Sequence, residues 1–144
     1  MNFDEFYSCE NTYFSREHSG GMEECLKKYS VKGCKTVDIG AGEGRNSVWL
    51  AQKGYDVYAI EPSVVGAGKI EQKADKNAVN LHVLNTDFLS VTDGLSDIGF
   101  VLTMTSLEHM EYDYLIRTVK EIKRILKPGG YIYAMVFTED DPGY

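Results

Sequence analysis

Short apolar runs alternate with segments of helical periodicity along most of this chain. The apolar runs predict five strands, at residues 36–39, 55–60, 81–84, 99–103 and 131–137. Apolar residues recur at helical spacing over residues 22–29, 45–53, 63–76 and 112–126. Because apolar strands alternate with helices, the pattern predicts an α/β fold, with an open sheet of mostly parallel strands and helices on both faces.

Two details of this pattern concern the C-terminal half. The helix at 112–126 should bury six residues on one side, namely Tyr114, Leu115, Val119, Ile122, Ile125 and Leu126. Lys127-Pro128-Gly129-Gly130 should then form a turn before the fifth strand, since glycine and proline interrupt regular structure.

The N-terminal segment departs from the alternation. Residues 1–19 are aromatic and polar without clear periodicity, and they read as either a flexible tail or a lid over a ligand pocket. Arg16 and His18 in this segment are either solvated side chains or ligand contacts. We therefore divide the single domain into an N-terminal lid and helix segment, residues 1–35, and a cofactor-binding core, residues 36–144.

A glycine-rich turn between the first strand and the next helix carries the strongest local signal. Three alternating glycines follow the strand, at Gly40, Gly42 and Gly44. Glycine allows a ligand to lie against the main chain, and the N–H groups that begin a helix can receive its polar parts. A dinucleotide-binding turn would place its third glycine at Arg45, so the spacing disfavours a nicotinamide dehydrogenase. A tight turn without a ligand stays open on this stretch alone.

Acidic residues follow the next two predicted strands. Glu61, which precedes Pro62, is expected at an exposed strand end, where a carboxylate can accept both hydroxyls of a ribose. Asp87 can accept from an exocyclic amine, and Phe88 can cover the face of a ring. The alternatives are a solvated carboxylate for Glu61 and a helix cap beside a core phenylalanine for Asp87 and Phe88.

The fourth predicted strand leads into a further group of candidate residues. Met104 suits either the core or the apolar face of a cofactor. Glu108 and His109 are candidates for acid and base or for a metal site, but one glutamate and one histidine are too few ligands. We therefore predict no metal and favour polar contacts at a helix entry.

Composition narrows the function classes. The net charge of −7 and the pI near 4.9 disfavour general binding to nucleic-acid phosphates. No apolar run approaches the length of a membrane span, and the N-terminus lacks the basic region of a signal peptide. Cys9, Cys25 and Cys34 have no metal or redox spacing and are expected to be reduced thiols. We therefore expect a cytoplasmic protein that binds neither nucleic acid nor membrane.

With these motifs assembled, residues 37–137 resemble the core of the class I S-adenosylmethionine-dependent methyltransferases. Asp38 to Gly44 matches the family's motif I, Glu61 its ribose-binding acid, and Asp87-Phe88 its adenine-contact position. Leu107-Glu108-His109 and the stretch from Leu126 to Gly130 resemble the sequences after its fourth strand and before its fifth. The continuation Gly44 to Ser47 is similar to tellurite-resistance-type methyltransferases.

The resemblance implies a Rossmann-like fold, the cofactor S-adenosylmethionine and methyl transfer to a small-molecule acceptor. The cofactor-binding residues it implies are Asp38, Gly40, Gly42, Gly44, Asn46, Glu61, Pro62, Asp87, Phe88, Met104 and Arg16. No catalytic residue is assigned, and His109 and His18 are candidates for deprotonating the acceptor.

Length is the main departure from the family pattern. The family fold has two further strands after the fifth, which 144 residues do not provide. We expect the fifth strand to be an exposed edge through which copies of the chain can associate. The alternative function is a non-catalytic S-adenosylmethionine-binding module, or a fragment of a methyltransferase.

Overall fold

The computed structural model describes residues 2–8, 18–29 and 32–141. The helices are α1 (Phe3–Tyr7), α2 (Met22–Lys28), α3 (Arg45–Gln52), α4 (Val64–Lys76) and α5 (Tyr112–Ile125). The strands are β1 (Lys35–Ile39), β2 (Asp56–Ile60), β3 (His82–Leu84), β4 (Ile98–Met104) and β5 (Leu126–Met135). Short 3-10 turns occupy Phe88–Ser90, Thr92–Gly94 and Leu107–His109.

The five strands form one parallel sheet in the order β3-β2-β1-β4-β5. The chain proceeds outwards from β1 through β2 to β3 and then crosses to β4 on the other side. In open α/β sheets, ligands bind beyond the carboxyl ends of the strands at such a reversal. The predicted α/β, Rossmann-like sheet is confirmed, and its reversal point lies between β1 and β4.

Apolar side chains from the two faces of the sheet form two core clusters. One contains Met22 and Leu26 of α2 and Leu50 of α3, packed with β-strand residues such as Phe100. The other joins α5 to the opposite face, through Ile122, Ile125, Val37, Ile39 and Val101. Helices therefore cover both faces, which holds the carboxyl ends of β1, β2 and β4 in fixed positions.

Ser63 caps the first turn of α4, a position that serine favours. The Ser63 side-chain oxygen accepts a hydrogen bond from the backbone N–H of Gly66 at 3.0 Å. This bond satisfies one of the N–H groups that have no partner within the helix. Ser63 is two residues after Glu61 in the chain. The cap therefore also fixes the segment that leaves β2.

The fifth strand begins at an earlier residue than predicted, and it also ends at an earlier residue. Residues 127–130 do not form a separate turn, because α5 leads directly into β5 at Leu126, which pairs with Ile98. The next pair joins Phe100 to Tyr131, so residues 127–130 bulge opposite a single residue of β4. Pairing ends at Met135, and the prediction that the strand reaches Phe137 is wrong.

The buried side of α5 also differs from the prediction. Ile122 and Ile125 are buried as expected, but Val119 is 52% exposed and Thr118 is fully buried in its place. Residues 118, 122 and 125 follow helical spacing and face the sheet, which turns Val119 towards solvent. Within the described residues, none of the helices is long and apolar enough to cross a membrane.

Candidate functional site

A cavity of about 680 Å³ lies beyond the carboxyl ends of β1, β2 and β4. Most of the site residues expected from the sequence line it: Asp38, Gly40, Gly42, Asn46, Glu61, Pro62, Asp87, Phe88 and Met104. Residues at or beyond the carboxyl ends of β1, β2, β3 and β4 therefore meet at one site, as the parallel arrangement requires.

The glycine turn is closely packed on both sides. Gly40 and Gly42 have φ values of +69° and +58°, which side chains other than glycine rarely adopt. A Cβ atom on Gly40 would lie 2.6 Å from the Cβ of Ser106, and one on Gly42 would lie 2.9 Å from the Tyr7 hydroxyl. The backbone N–H groups of Gly40 and Ala41 both donate to the carbonyl oxygen of Ile60. The turn is thus fixed to β2 with its main chain open to the cavity.

Gly44, unlike Gly40 and Gly42, does not line the cavity. It has a φ of +77° and begins α3. A Cβ atom there would lie 2.9 Å from a side-chain carbon of Ile70. Gly44 therefore allows α3 and α4 to pack closely, and its place in the motif reflects this packing.

The position of Glu61 corrects one sequence expectation. Its side chain is only 4% exposed, whereas an exposed strand end was predicted. One carboxylate oxygen accepts from the N–H of Gly42 at 2.7 Å and the other from the N–H of Ser63 at 2.8 Å. Burial raises the pKa of Glu61, and the two N–H groups oppose this increase. The carboxylate organises the glycine turn and still has lone pairs for further donors.

Asp38 is a second buried carboxyl group at the site. It accepts a hydrogen bond from the Ser47 hydroxyl at 2.6 Å, and it is 2% exposed. Burial raises the pKa of Asp38 to about 7, with a smaller contribution of the same sign from the charge of Glu61. The site therefore limits the negative charge that it accumulates next to the glycine turn.

Asn46 and Arg45 connect the glycine turn to the segment before α2. The side-chain oxygen of Asn46 accepts from the N–H of Ser19 at 2.9 Å, and Arg45 donates to the Ser19 hydroxyl at 2.9 Å. Both side chains line the cavity. In the sequence, Arg45 is notable only because it stands where a dinucleotide-binding turn would have its third glycine. Nothing in the sequence pattern indicates its contact with Ser19.

Asp87 and Phe88 match the alternative of a helix cap beside a core phenylalanine. Asp87 caps the 3-10 turn by accepting from the N–H and hydroxyl of Ser90, and these bonds lower its pKa. Phe88 is 2% exposed and belongs to the core cluster under α5. Both also line the cavity, and the Tyr114 hydroxyl donates to Asp87 at 2.8 Å. Tyr114 itself lines the cavity and was expected only as a core residue of its helix.

The candidate bases are not brought together. His109 lines the cavity, is exposed, and its ring lies 5.5 Å from that of Phe3 in an edge-on arrangement. His18 instead stacks on Trp49 with ring centres 4.0 Å apart, and it is not among the lining residues. Arg16 lies outside the described residues, as does Cys9. In the part of the chain that is described, no group of three or more His, Cys, Asp or Glu side chains could hold a metal ion.

Helix α1 supplies cavity residues from the N-terminal segment, for which the sequence left a flexible tail or a lid over a ligand pocket as alternatives. Phe3, Phe6 and Tyr7 all line the cavity, and Tyr7 is 7% exposed. Their spacing of three and four residues places them on one face of a helix. That spacing was a usable signal, although a five-residue helix is too short for periodicity alone to establish.

Comparison of the sequence with known protein families identifies one matching family model. The family model described as a methyltransferase domain matches residues 37–134. A probable S-adenosyl-L-methionine-dependent methyltransferase TehB from Haemophilus influenzae is 25% identical over 95% of this chain and 49% of its own length. A ribosomal RNA small subunit methyltransferase C from Alcanivorax borkumensis is 27% identical over 73% of this chain and 33% of its own length.

A solved structure agrees with the sequence matches. The crystal structure of TehB from Haemophilus influenzae superposes with a TM-score of 0.74 at 22% identity, covering 92% of this chain and 44% of that one. At this identity the likeness supports the fold. The present chain spans about half the length of the TehB relative it matches.

Proposed function

The chain belongs to the class I S-adenosylmethionine-dependent methyltransferase family, and from that premise we propose that it binds S-adenosylmethionine and transfers the methyl group to a small-molecule acceptor. One observation carries the proposal. The glycine turn after β1, Glu61 after β2 and Asp87 after β3 all face a single cavity. These are the positions at which proteins of this fold class bind a nucleoside and the group that is attached to it.

The residues of the cavity fit such a cofactor. Gly40 and Gly42 line the cavity, and their lack of side chains leaves room for Ser106 and Tyr7 to pack against the turn. The Glu61 carboxylate can accept from the two ribose hydroxyls with the lone pairs that its N–H donors leave available. Asp87 is in position to accept from the adenine amine, beside the ring of Phe88.

The protein's contribution to catalysis is mainly placement. Bound S-adenosylmethionine supplies a methyl group on a sulfonium, which is already a good leaving group. We infer that the cavity holds the acceptor in line with that methyl group, and such placement can provide much of the rate enhancement. The positive charge on sulfur is lost in the transition state, so a site that does not over-stabilise the cation favours the transfer.

His109 is the candidate for accepting a proton from the acceptor. Its exposed ring lies at the cavity lining beside α1, and an imidazole can accept a proton near neutral pH. His18 is a weaker candidate because it stacks on Trp49, apart from the cavity lining.

A small-molecule acceptor is favoured over a macromolecule. The chain carries a net charge of −7, which opposes close approach to the phosphates of a nucleic acid. The relative named for ribosomal RNA makes RNA the acceptor to test against small molecules. Free thiols at Cys25 and Cys34 support a reducing compartment, and we propose the cytoplasm.

Calorimetry with S-adenosylhomocysteine, S-adenosylmethionine and NAD tests the cofactor assignment. We expect saturable binding of the first two and none of NAD. Glu61→Ala should weaken binding about 10- to 100-fold, since hydrogen bonds to a charged group contribute about 1.5–3 kcal/mol each. Because Glu61 is buried and bonded to Gly42 and Ser63, the thermal stability of this variant should also fall. Saturable NAD binding without S-adenosylmethionine binding would refute the proposal.

Formation of S-adenosylhomocysteine separates an enzyme from a binding module. The assay uses the 144-residue chain with S-adenosylmethionine and panels of small nucleophiles and of RNA. Turnover with a small molecule supports the proposal, and turnover with RNA alone contradicts the acceptor class. Tight cofactor binding with no turnover on either panel would favour the alternative, a non-catalytic S-adenosylmethionine-binding module.

A further inference from the structure

Helix α1 lies across the cavity, and two of its residues are tied to the cofactor site. We propose that Tyr7 is a cofactor-binding residue and that Asp4 is a positioning residue that holds Tyr7 in place, so that α1 retains the bound cofactor. This inference rests on the proposed function, and it adds a part of the site that the motifs of the core do not contain.

Contacts at both sides of the cavity hold α1 in position. On one side, the Asp4 carboxylate accepts from the Ser63 hydroxyl at 2.5 Å and from the N–H of Val65 at 3.3 Å. On the other side, the ring of Phe3 contacts the ring of His109, with centres 5.5 Å apart. Helix α1 therefore bridges the start of α4 and the loop after β4.

Tyr7 occupies space that two glycines provide. A Cβ atom on Gly42 would lie 2.9 Å from the Tyr7 hydroxyl, and one on Gly66 would lie 3.2 Å from a carbon of its ring. Gly66 stands inside α4, where glycine costs about 1 kcal/mol relative to alanine. The close approach of the Tyr7 ring, together with that of Glu61, accounts for a glycine at this position.

The surroundings of Tyr7 keep its hydroxyl protonated. Burial raises the pKa of Tyr7, and the negative charges of Glu61 and Glu43 raise it further. The hydroxyl is thus a hydrogen-bond donor beside the glycine turn and Glu61, the two groups assigned to the cofactor. A ligand held by Glu61 and the glycine turn lies next to the ring of Tyr7.

Asp4 is connected to the same group of residues through Ser63. The hydrogen bond from Ser63 is the main cause of a lowered pKa at Asp4, and the backbone N–H of Ser63 donates to Glu61. A carboxylate at the start of α4 is also favoured by the dipole of that helix. Asp4 is exposed, so its contribution is moderate, but it links α1 to the residue that orients Glu61.

The rate of S-adenosylhomocysteine dissociation, followed by stopped flow, tests this proposal. The ligand is displaced from wild type, Tyr7→Ala, Tyr7→Phe, Asp4→Asn and Glu5→Gln by an excess of S-adenosylmethionine. Glu5→Gln is the matched control, because Glu5 is exposed on the same helix and the charge change is identical.

We expect dissociation to be about tenfold faster or more in Tyr7→Ala and about three- to tenfold faster in Asp4→Asn. Tyr7→Phe should lie between wild type and Tyr7→Ala, and Glu5→Gln should match wild type. Dissociation within twofold of wild type in both Tyr7→Ala and Asp4→Asn would overturn the proposal. An equal increase in Glu5→Gln would also overturn it, since the effect would then reflect charge alone.

Two further measurements separate this proposal from other effects. The melting temperature of each ligand-free variant reports on folding, and we expect Asp4→Asn and Tyr7→Phe to stay close to wild type. A fall in their melting temperatures large enough to account for the faster dissociation would contradict a role at the ligand. If wild type binds neither S-adenosylmethionine nor S-adenosylhomocysteine, the proposed function fails as well. Wild-type binding with unchanged dissociation in the variants rejects only the roles of Tyr7 and Asp4.

Discussion

Strands β4 and β5 are neighbours with similarly apolar sequences, yet their surroundings are opposite. Every residue of β4 is buried, whereas no residue of β5 is, and Ile132 is 45% exposed. β4 lies between β1 and β5 and is covered on both faces, while β5 pairs with one strand only in the described sheet. An apolar strand sequence therefore predicts a strand, but coverage by neighbours decides how much of it is buried.

The same contrast separates the cofactor end of the molecule from the region around β5. The cavity is formed by residues after β1, β2, β3 and β4 together with α1, and Phe137 is the residue following β5 that reaches it. Large apolar side chains of α5, of β5 and of the residue after β5 are exposed instead: Ile116, Val119, Ile132, Met135 and Val136 are each at least 43% exposed. Packing therefore restrains the residues around the cavity more than it restrains the exposed residues of α5 and β5.

Two glycines with nearly the same backbone angle offer the sharpest test of this difference. Gly44 has a φ of +77° and Gly129 in the bulge of β5 has a φ of +76°. A Cβ atom on Gly44 would lie 2.9 Å from Ile70, whereas one on Gly129 meets nothing within 4 Å. Gly129→Ala should therefore cost about 1–2 kcal/mol from backbone strain, and Gly44→Ala about 2–5 kcal/mol from strain and overpacking.

Urea unfolding of both alanine variants measures the two costs. Since the backbone strain is shared, the difference in unfolding free energy between them isolates the packing around the glycine turn. Equal destabilisation by the two substitutions would mean that the cofactor end is no more tightly packed than the bulge of β5.

The pH dependence of stability gives a second, smaller test at the cofactor end. Burial raises the pKa of Asp38 from its ordinary 3.8 to about 7, so between these values the folded protein holds a proton that the unfolded chain has lost. The stability contributed by Asp38 is therefore present below about pH 4 and is lost as the pH rises towards 7. Asp38→Asn should not show this loss of unfolding free energy, which we expect to be at least about 1 kcal/mol at pH 7.5.

Urea unfolding at pH 4.5 and pH 7.5 checks the prediction. Asp93→Asn, at an exposed position outside the cavity, is the control and should leave the difference between the two pH values as in wild type. A wild-type pH difference retained in Asp38→Asn would show that Asp38 titrates like an exposed carboxyl group.

The smallest expected effect concerns association through β5. An exposed apolar edge strand presents unpaired backbone groups to another chain. We predict that the average mass of the 144-residue chain in light scattering rises with concentration. Ile132→Lys should reduce this rise, because a charge on an edge strand opposes pairing. Val64→Lys is the control, since Val64 is exposed on α4 at the opposite region, and it should leave association unchanged. A constant monomer mass at every concentration would contradict the prediction.

Several features were within reach of the sequence because they depend on neighbours along the chain. The alternation of strand and helix, the glycine turn and the Ser63 cap all follow from local backbone preferences and periodicity. The acids after β2 and β3 could be brought together by one further rule, that parallel strands end at the same edge of a sheet. For this reason the fold and the part of the cavity lining that follows β1, β2 and β3 could be predicted.

Contacts between distant segments were decided by the tertiary structure alone. Glu61 is buried because the glycine turn and Ser63 close over it, and Gly44 packs on Ile70 because α3 and α4 lie side by side. Tyr7 lines the cavity, and Asp4 of the same helix contacts the first turn of α4, about 60 residues away in the chain. Periodicity records which face of an element is apolar, but it carries no information on which distant segment covers that face, and burial, pKa and packing all depend on that segment.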